Sequence, residues 1–179
     1  MISIAYDVNI YREILGYRVR RNDIVIELGP HTGKSTLVYL PRTKLTIVVD
    51  KSNESKEHFS NILKNSENIR FVLGDVRSFE TIINVLKISR ECDVLAVDMG
   101  GGRYPDTVFK VWAIWSGIFK PRDSIIRNRG LAEFIQRAKI EDNSIIRNFE
   151  DSGWLSEYGR GIPYKLRKQL EEFKFWVEI

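Results

Sequence analysis

Apolar positions along this chain fall into two rhythms that alternate almost from end to end. Short β-branched runs, Ile24 to Leu28, Leu45 to Val49, Ile69 to Leu73, Val94 to Val97 and Ser124 to Ile126, read as buried strands. Between them lie stretches with apolar residues three and four apart, which predict helices over Asn53 to Lys64, Ser78 to Ser89 and Thr107 to Phe119. A further helix is predicted from Asp7 to Leu15, with Asp7 as N-cap and Gly16 as stop, and a short one from near Gly33 that Pro41 cannot continue. Leu131 to Ala138 and Ser144 to Asp151 are also helical in pattern, and Trp154 to Tyr158 and Phe173 to Ile179 read as a final pair of strands. Strands alternating with helices predict an α/β fold, a doubly wound, mostly parallel sheet covered on both faces.

The length of 179 residues predicts a single domain, 1–179, in which 1–22 is a short N-terminal helix and basic connector. Cys92 is the one cysteine, so neither an internal disulfide nor a multi-cysteine metal site can form. A net charge of +4 permits an acidic or nucleic-acid partner without requiring one. No apolar run reaches membrane-spanning length, and the expectation is a cytoplasmic protein. Arg18, Arg20 and Arg21 form a basic cluster that is either a phosphate contact or a solvated connector, and 159–172, with Arg160, Tyr164, Lys165, Arg167 and Lys168, is a substrate lid, a basic contact for an acidic partner or a solvated loop.

Candidate chemistry centres on DIVIELGPHTGKST, Asp23 to Thr36. A strand followed by Gly29 and Gly33 lets backbone N–H groups face a ligand. A P-loop would require four residues between its first glycine and Gly-Lys-Ser, yet only Pro30, His31 and Thr32 intervene. Glu27, an acid at the strand end, would repel a triphosphate and suits a cationic ligand. Acids recur at successive strand ends, with Asp50 beside Lys51, Asp75 before Val76, and Asp98 before the glycine run Gly100 to Gly102. In an open parallel sheet those ends border the ligand crevice. Asp50 is then either a ligand acceptor or, with Ser52, a cap of the helix that follows.

An acid, a glycine turn and further strand-end acids resemble the first motifs of the class I S-adenosylmethionine-dependent methyltransferases. ELGPHTGKST, and later the acid followed by Arg103-Tyr104 and by Pro105-Asp106-Thr107, are similar to the catechol and caffeoyl-CoA O-methyltransferase branch. The resemblance implies strand order 3-2-1-4-5-7-6, counted from Ile24, with an antiparallel C-terminal pair. It implies S-adenosylmethionine as cofactor. Glu27 would anchor the turn, and Gly29 would admit the cofactor to the backbone. Ser35 and the nearby amides of His31, Thr32 and Gly33, in the turn that Pro30 begins, would hold its carboxylate, Asp50 would accept its ribose hydroxyls, and Asp75 and the Val76 N–H would read its adenine.

In that branch the acid at Asp98 binds magnesium together with an Asp-Asn pair after the fifth strand. Here Arg127, Asn128 and Arg129 stand there, and a guanidinium repels a cation and has no acceptor, so no metal is expected. Asp98 and then His31 are the candidate bases, and Arg103, Tyr104, Arg127 and Asn128 the candidate substrate residues. The implied acceptor is an oxygen or nitrogen of a small molecule or an RNA. Two alternatives stay open: a P-loop-like nucleotide hydrolase or kinase using Lys34 and Ser35, and a non-catalytic S-adenosylmethionine-binding module. Trp112 and Trp115 on the 107–119 helix are expected in the core, at a homodimer interface or, less readily, stacked on substrate.

Overall fold

Six parallel strands form one sheet: β1 (Ile2–Ala5), β2 (Ile24–Leu28), β3 (Leu45–Asp50), β4 (Ile69–Leu73), β5 (Val94–Val97) and β6 (Asp123–Arg127). Their order is β1-β6-β5-β2-β3-β4 in this computed structural model, which describes residues 1–141. Counted from Ile24, the five foreseen strands stand in the expected order 3-2-1-4-5. β1 was not foreseen. It pairs with the outer edge of β6 from Ile2↔Ser124 to Ala5↔Arg127, the edge that the resemblance allotted to a C-terminal strand. Four residues at a sheet edge, with Ile2 half exposed, carry too little alternation to be read locally, and their partner lies far along the chain. The strands expected at 154–158 and 173–179, the helix at 144–151 and the basic connection 159–172 lie outside the described residues.

The helices are α1 (Val8–Arg18), α2 (Asn53–Asn65), α3 (Phe79–Leu86), α4 (Pro105–Phe119) and α5 (Arg129–Arg137). Their starts follow local chemistry. The Asp7 carboxylate accepts from the Asn9 N–H at 2.7 Å, the Ser52 hydroxyl from the Ser55 N–H at 3.4 Å, and the Asn128 amide oxygen from the Leu131 N–H at 2.9 Å. Gly16 does not stop α1, which continues to Arg18. The helix expected near Gly33 does not form either. Two 3-10 turns, Thr36–Val38 and Leu40–Arg42, take its place, since Pro41 leaves too little chain for an α-helix between the glycine turn and β3.

Alternation along the strands decides which helix covers which face. Ile26, Leu28, Ile47, Val49, Leu95 and Val97 face α3 and α4 across the larger core. Val25, Val94, Ala96 and Ile125 pack with Tyr11 and Leu15 of α1 and with Tyr39 between the two 3-10 turns, while Val48 and Ile69 meet Phe59 of α2. Each such side chain removed from water contributes about 1.5–3 kcal/mol. Trp115 is fully buried and donates its indole N–H to the Val76 carbonyl at 2.8 Å, and Trp112 is 4% exposed. Both tryptophans therefore belong to the core, which removes them as a stacking platform and as a subunit face. No helix among the described residues is long and apolar enough to cross a membrane.

Candidate functional site

Strand order reverses between β2 and β5, and a crevice opens there beyond the carboxyl ends of the strands. The cavity has a volume of about 800 Å³. Its floor is the turn after β2, where Gly29 has φ +78 and approaches β5 so closely that a Cβ would lie 2.4 Å from the Asp98 carbonyl oxygen. Only glycine tolerates both conditions. Pro30, His31, Thr32 and Ser35 line the cavity beside it, as foreseen. Gly33 does not. Its φ of +77 and the 2.9 Å that would separate its Cβ from Ile62 tie it to α2, so its role is packing rather than ligand contact.

Three of the four strand-end acids reach the cavity, Asp50, Asp75 and Asp98, together with Lys51 and Val76. Asp50 accepts from the His31 N–H at 3.2 Å through one oxygen and from the Ser52 N–H at 2.9 Å through the other. It thus joins the turns after β2 and β3, Ser52 is the helix cap, and each oxygen keeps a lone pair for a ligand. Asp75 is clasped by Arg77 at 2.6–3.2 Å, and this hydrogen bonding holds its carboxyl below the usual range.

Glu27 stays out of the cavity. It is fully buried beneath the turn, where one carboxylate oxygen accepts from the Thr36 hydroxyl at 2.5 Å and the Tyr39 hydroxyl at 2.6 Å. Its other oxygen has no hydrogen-bond partner among the described residues. Burial pushes its pKa up to about 7, against the pull of those two hydroxyls. Glu27 consequently anchors the segment after the glycine turn, and direct cofactor contact is not its part.

Asp98 directly follows β5 and pairs with Arg127 at the end of β6, with 2.8 Å between Oδ1 and Nη1. Both side chains are recessed, at 15% and 13% exposure. Burial raises the Asp98 pKa, and Arg127, Arg12 and His31 act against that rise. A guanidinium 2.8 Å from the oxygen that a divalent ion would need does not fit a metal site. Among the described residues no three of His, Cys, Asp and Glu cluster for one either.

Arg103, Tyr104 and Arg127 line the cavity, whereas Asn128 does not. Asn128 is fully buried, caps α5 and donates to the Arg103 carbonyl at 2.7 Å, so it fixes the glycine-rich loop from behind. Sequence reasoning missed Arg12, Arg77, Val8 and Met99. Arg77 stands two residues after Asp75, a spacing that could have revealed the pair. Arg12 carries no such signal. It arrives because α1 crosses the sheet beside β6, where its Nε donates to the Ser35 hydroxyl at 3.3 Å. Arg20 and Arg21 precede β2, at the opposite end of the sheet from the cavity.

Neither a family model nor a curated protein matches the sequence. Among solved structures, a dimethyladenosine transferase from Plasmodium falciparum is similar, with 19% identity and a TM-score of 0.51 over 78% of this chain and 48% of that one. Fibrillarin from Aeropyrum pernix, solved with bound S-adenosyl-L-methionine, gives 18% identity and a TM-score of 0.49 over 62% and 48%. The N-methyltransferase NodS from Bradyrhizobium japonicum, solved with S-adenosyl-L-homocysteine, gives 16% and 0.47 over 60% and 52%. The match spans about half the length of these structures. Sheet order, the reversal between β2 and β5, and the overlay on the transferase agree: the chain has the fold of the class I S-adenosylmethionine-dependent methyltransferases.

Proposed function

We propose that this protein is an S-adenosylmethionine-dependent methyltransferase acting on an oxygen or nitrogen of a small molecule or RNA. The observation that carries the reading is the single cavity bordered by Gly29, Asp50, Asp75 and Asp98 at the ends of four neighbouring strands. The residues present fit that cofactor. Asp50 keeps acceptor capacity for a vicinal diol, Val76 supplies an apolar edge beside Asp75 for a heterocycle, and Ser35, whose hydroxyl oxygen accepts from Arg12, keeps its own O–H to donate to a carboxylate. When bound, S-adenosylmethionine supplies a methyl group activated on a sulfonium sulfur.

The protein's own share is positioning and proton handling. Arg127 fixes one oxygen of Asp98, and the other has no partner among the described residues, which leaves it to take a proton from an acceptor. His31 lines the same cavity and is the second candidate base. The P-loop alternative loses support, because the glycine turn leads into 3-10 turns and no helix N-terminus faces the cavity there. A non-catalytic binding module remains the second reading. The Asp98–Arg127 ion pair favours it, since a paired carboxylate is a weaker base.

Calorimetric titration with S-adenosylmethionine, beside ATP with magnesium, tests the proposal. S-adenosylmethionine should bind alone. Asp50→Ala should weaken it by about 5- to 100-fold, the equivalent of one or two lost hydrogen bonds. Binding of ATP instead of S-adenosylmethionine would overturn the reading.

A further inference from the structure

Charge is distributed unevenly along the cavity. In the half beyond β3 and β4, Lys51 and Arg77 face Asp50 and Asp75. In the half beyond β5 and β6, Arg12, Arg103 and Arg127 share a single carboxylate, Asp98. Arg12, Arg127 and His31 all lie near enough to Asp98 to draw its pKa down against the effect of burial. Of the many N–H groups these arginines carry, few are engaged. Among the described residues Arg127 makes one hydrogen bond, to Asp98, and its buried Nε has no partner. Arg12 makes one long bond, to the Ser35 hydroxyl, and among the described residues neither Arg12 nor Arg103 has a carboxylate in ion-pair range. Arg12 and Arg127 lie close to Asp98, and Arg103 stands on the exposed rim of the same cavity, so even with Asp7 near Arg127 the lining keeps an excess of positive charge, which an anion would offset.

We infer that the β5–β6 half of the cavity binds an acceptor through a terminal oxyanion, a carboxylate or phosphate monoester, gripped by Arg12, Arg103 and Arg127. The depth of the pair Asp98–Arg127 favours a small molecule. A terminal anionic group can enter a recess where the phosphodiester backbone of an RNA would stay at the rim. The inference rests on the methyltransferase reading for what happens to the acceptor, though the anion site itself stands on charge and geometry.

The test is calorimetric titration of the full chain, alone and saturated with S-adenosylhomocysteine, using benzoate, phenyl phosphate and the neutral benzamide as probes. At least one anion should bind about tenfold or more tightly than benzamide, and which one does so separates carboxylate from phosphate. Arg12→Gln and Arg103→Gln, which leave the Asp98–Arg127 pair intact, should each remove most of that preference. Lys64→Gln, the same charge change on the exposed end of α2, should leave it in place. Equal binding of all three probes, or equal loss in all three variants, would overturn the inference, as would preferential binding of a short RNA oligonucleotide that competes with the anions. Binding of S-adenosylhomocysteine without anion preference would defeat this inference alone. Anion preference without S-adenosylhomocysteine binding would instead defeat the methyltransferase reading.

Discussion

Replacing Glu27 by Gln should flatten one part of the protein's pH–stability profile. Glu27 is fully buried, and its carboxyl is pushed from the usual 4.5 to about 7 by burial, against two hydroxyl hydrogen bonds. In the unfolded chain it ionises near its ordinary value. Between pH 4.5 and 7, therefore, the unfolded state gives up a proton that the folded state keeps, and stability falls as pH rises. At about 1.4 kcal/mol per pH unit this gap corresponds to about 3 kcal/mol of stability, fully present below pH 4.5 and fully lost above pH 7. Gln has the same shape and does not titrate, and its amide oxygen can still accept from Thr36 and Tyr39. The Asp98 carboxyl, also raised and repelled by Glu27, adds a smaller contribution of the same sign. Urea unfolding followed by tryptophan fluorescence across pH 4.5 to 8 gives both profiles, and groups common to the two proteins cancel in the difference. The Gln variant should gain on the wild type from pH 4.5 to about 7 and hold that gain above it. A flat difference, or one that favours the wild type more as pH rises, would refute the reasoning.

Gly29→Ala should destabilise the fold by about 2 kcal/mol or more. A left-handed φ of +78 alone costs roughly 1–2 kcal/mol in a residue with a Cβ, and the Asp98 carbonyl oxygen stands 2.4 Å from where that atom would go. Urea titration measures this, and a loss under half that size would show that β2 and β5 can part. Arg127→Met should cost about 2–3 kcal/mol, because it leaves the recessed Asp98 carboxylate unpaired, and adding Asp98→Asn should recover most of the loss. Thermal unfolding of the single and double variants decides this, and an additive double variant would contradict a direct pair.

The sheet was legible in advance because its evidence is local. The five strands from Ile24 onward are short, β-branched runs, four of them ended by an acid or a glycine, and doubly wound topology follows from their alternation with helices. The glycine turn and the strand-end acids Asp50, Asp75 and Asp98 were legible for the same reason, and once the strands are parallel their ends must meet at one edge. What failed were inferences about direction and partner. Glu27 and Asp50 both sit at strand ends, yet one points beneath the turn to Thr36 and Tyr39 while the other faces the cavity. Pattern alone does not say whether a Trp in an apolar helix faces core or solvent, and packing of α4 against the sheet decided it for Trp112 and Trp115.

From its own residues, then, the chain determined the parallel sheet, the glycine turn at its centre and the row of acids at its edge, because propensity and periodicity act over a few positions. Only the tertiary structure decided that β1 closes the edge beside β6 and that Asn128 turns inward to cap α5. It also brought Arg12 from α1, beside Arg127 from β6, into the cavity with Asp98. These contacts join residues far apart in the chain, and their energy comes from burial and charge pairing that exist only after the sheet has closed around them.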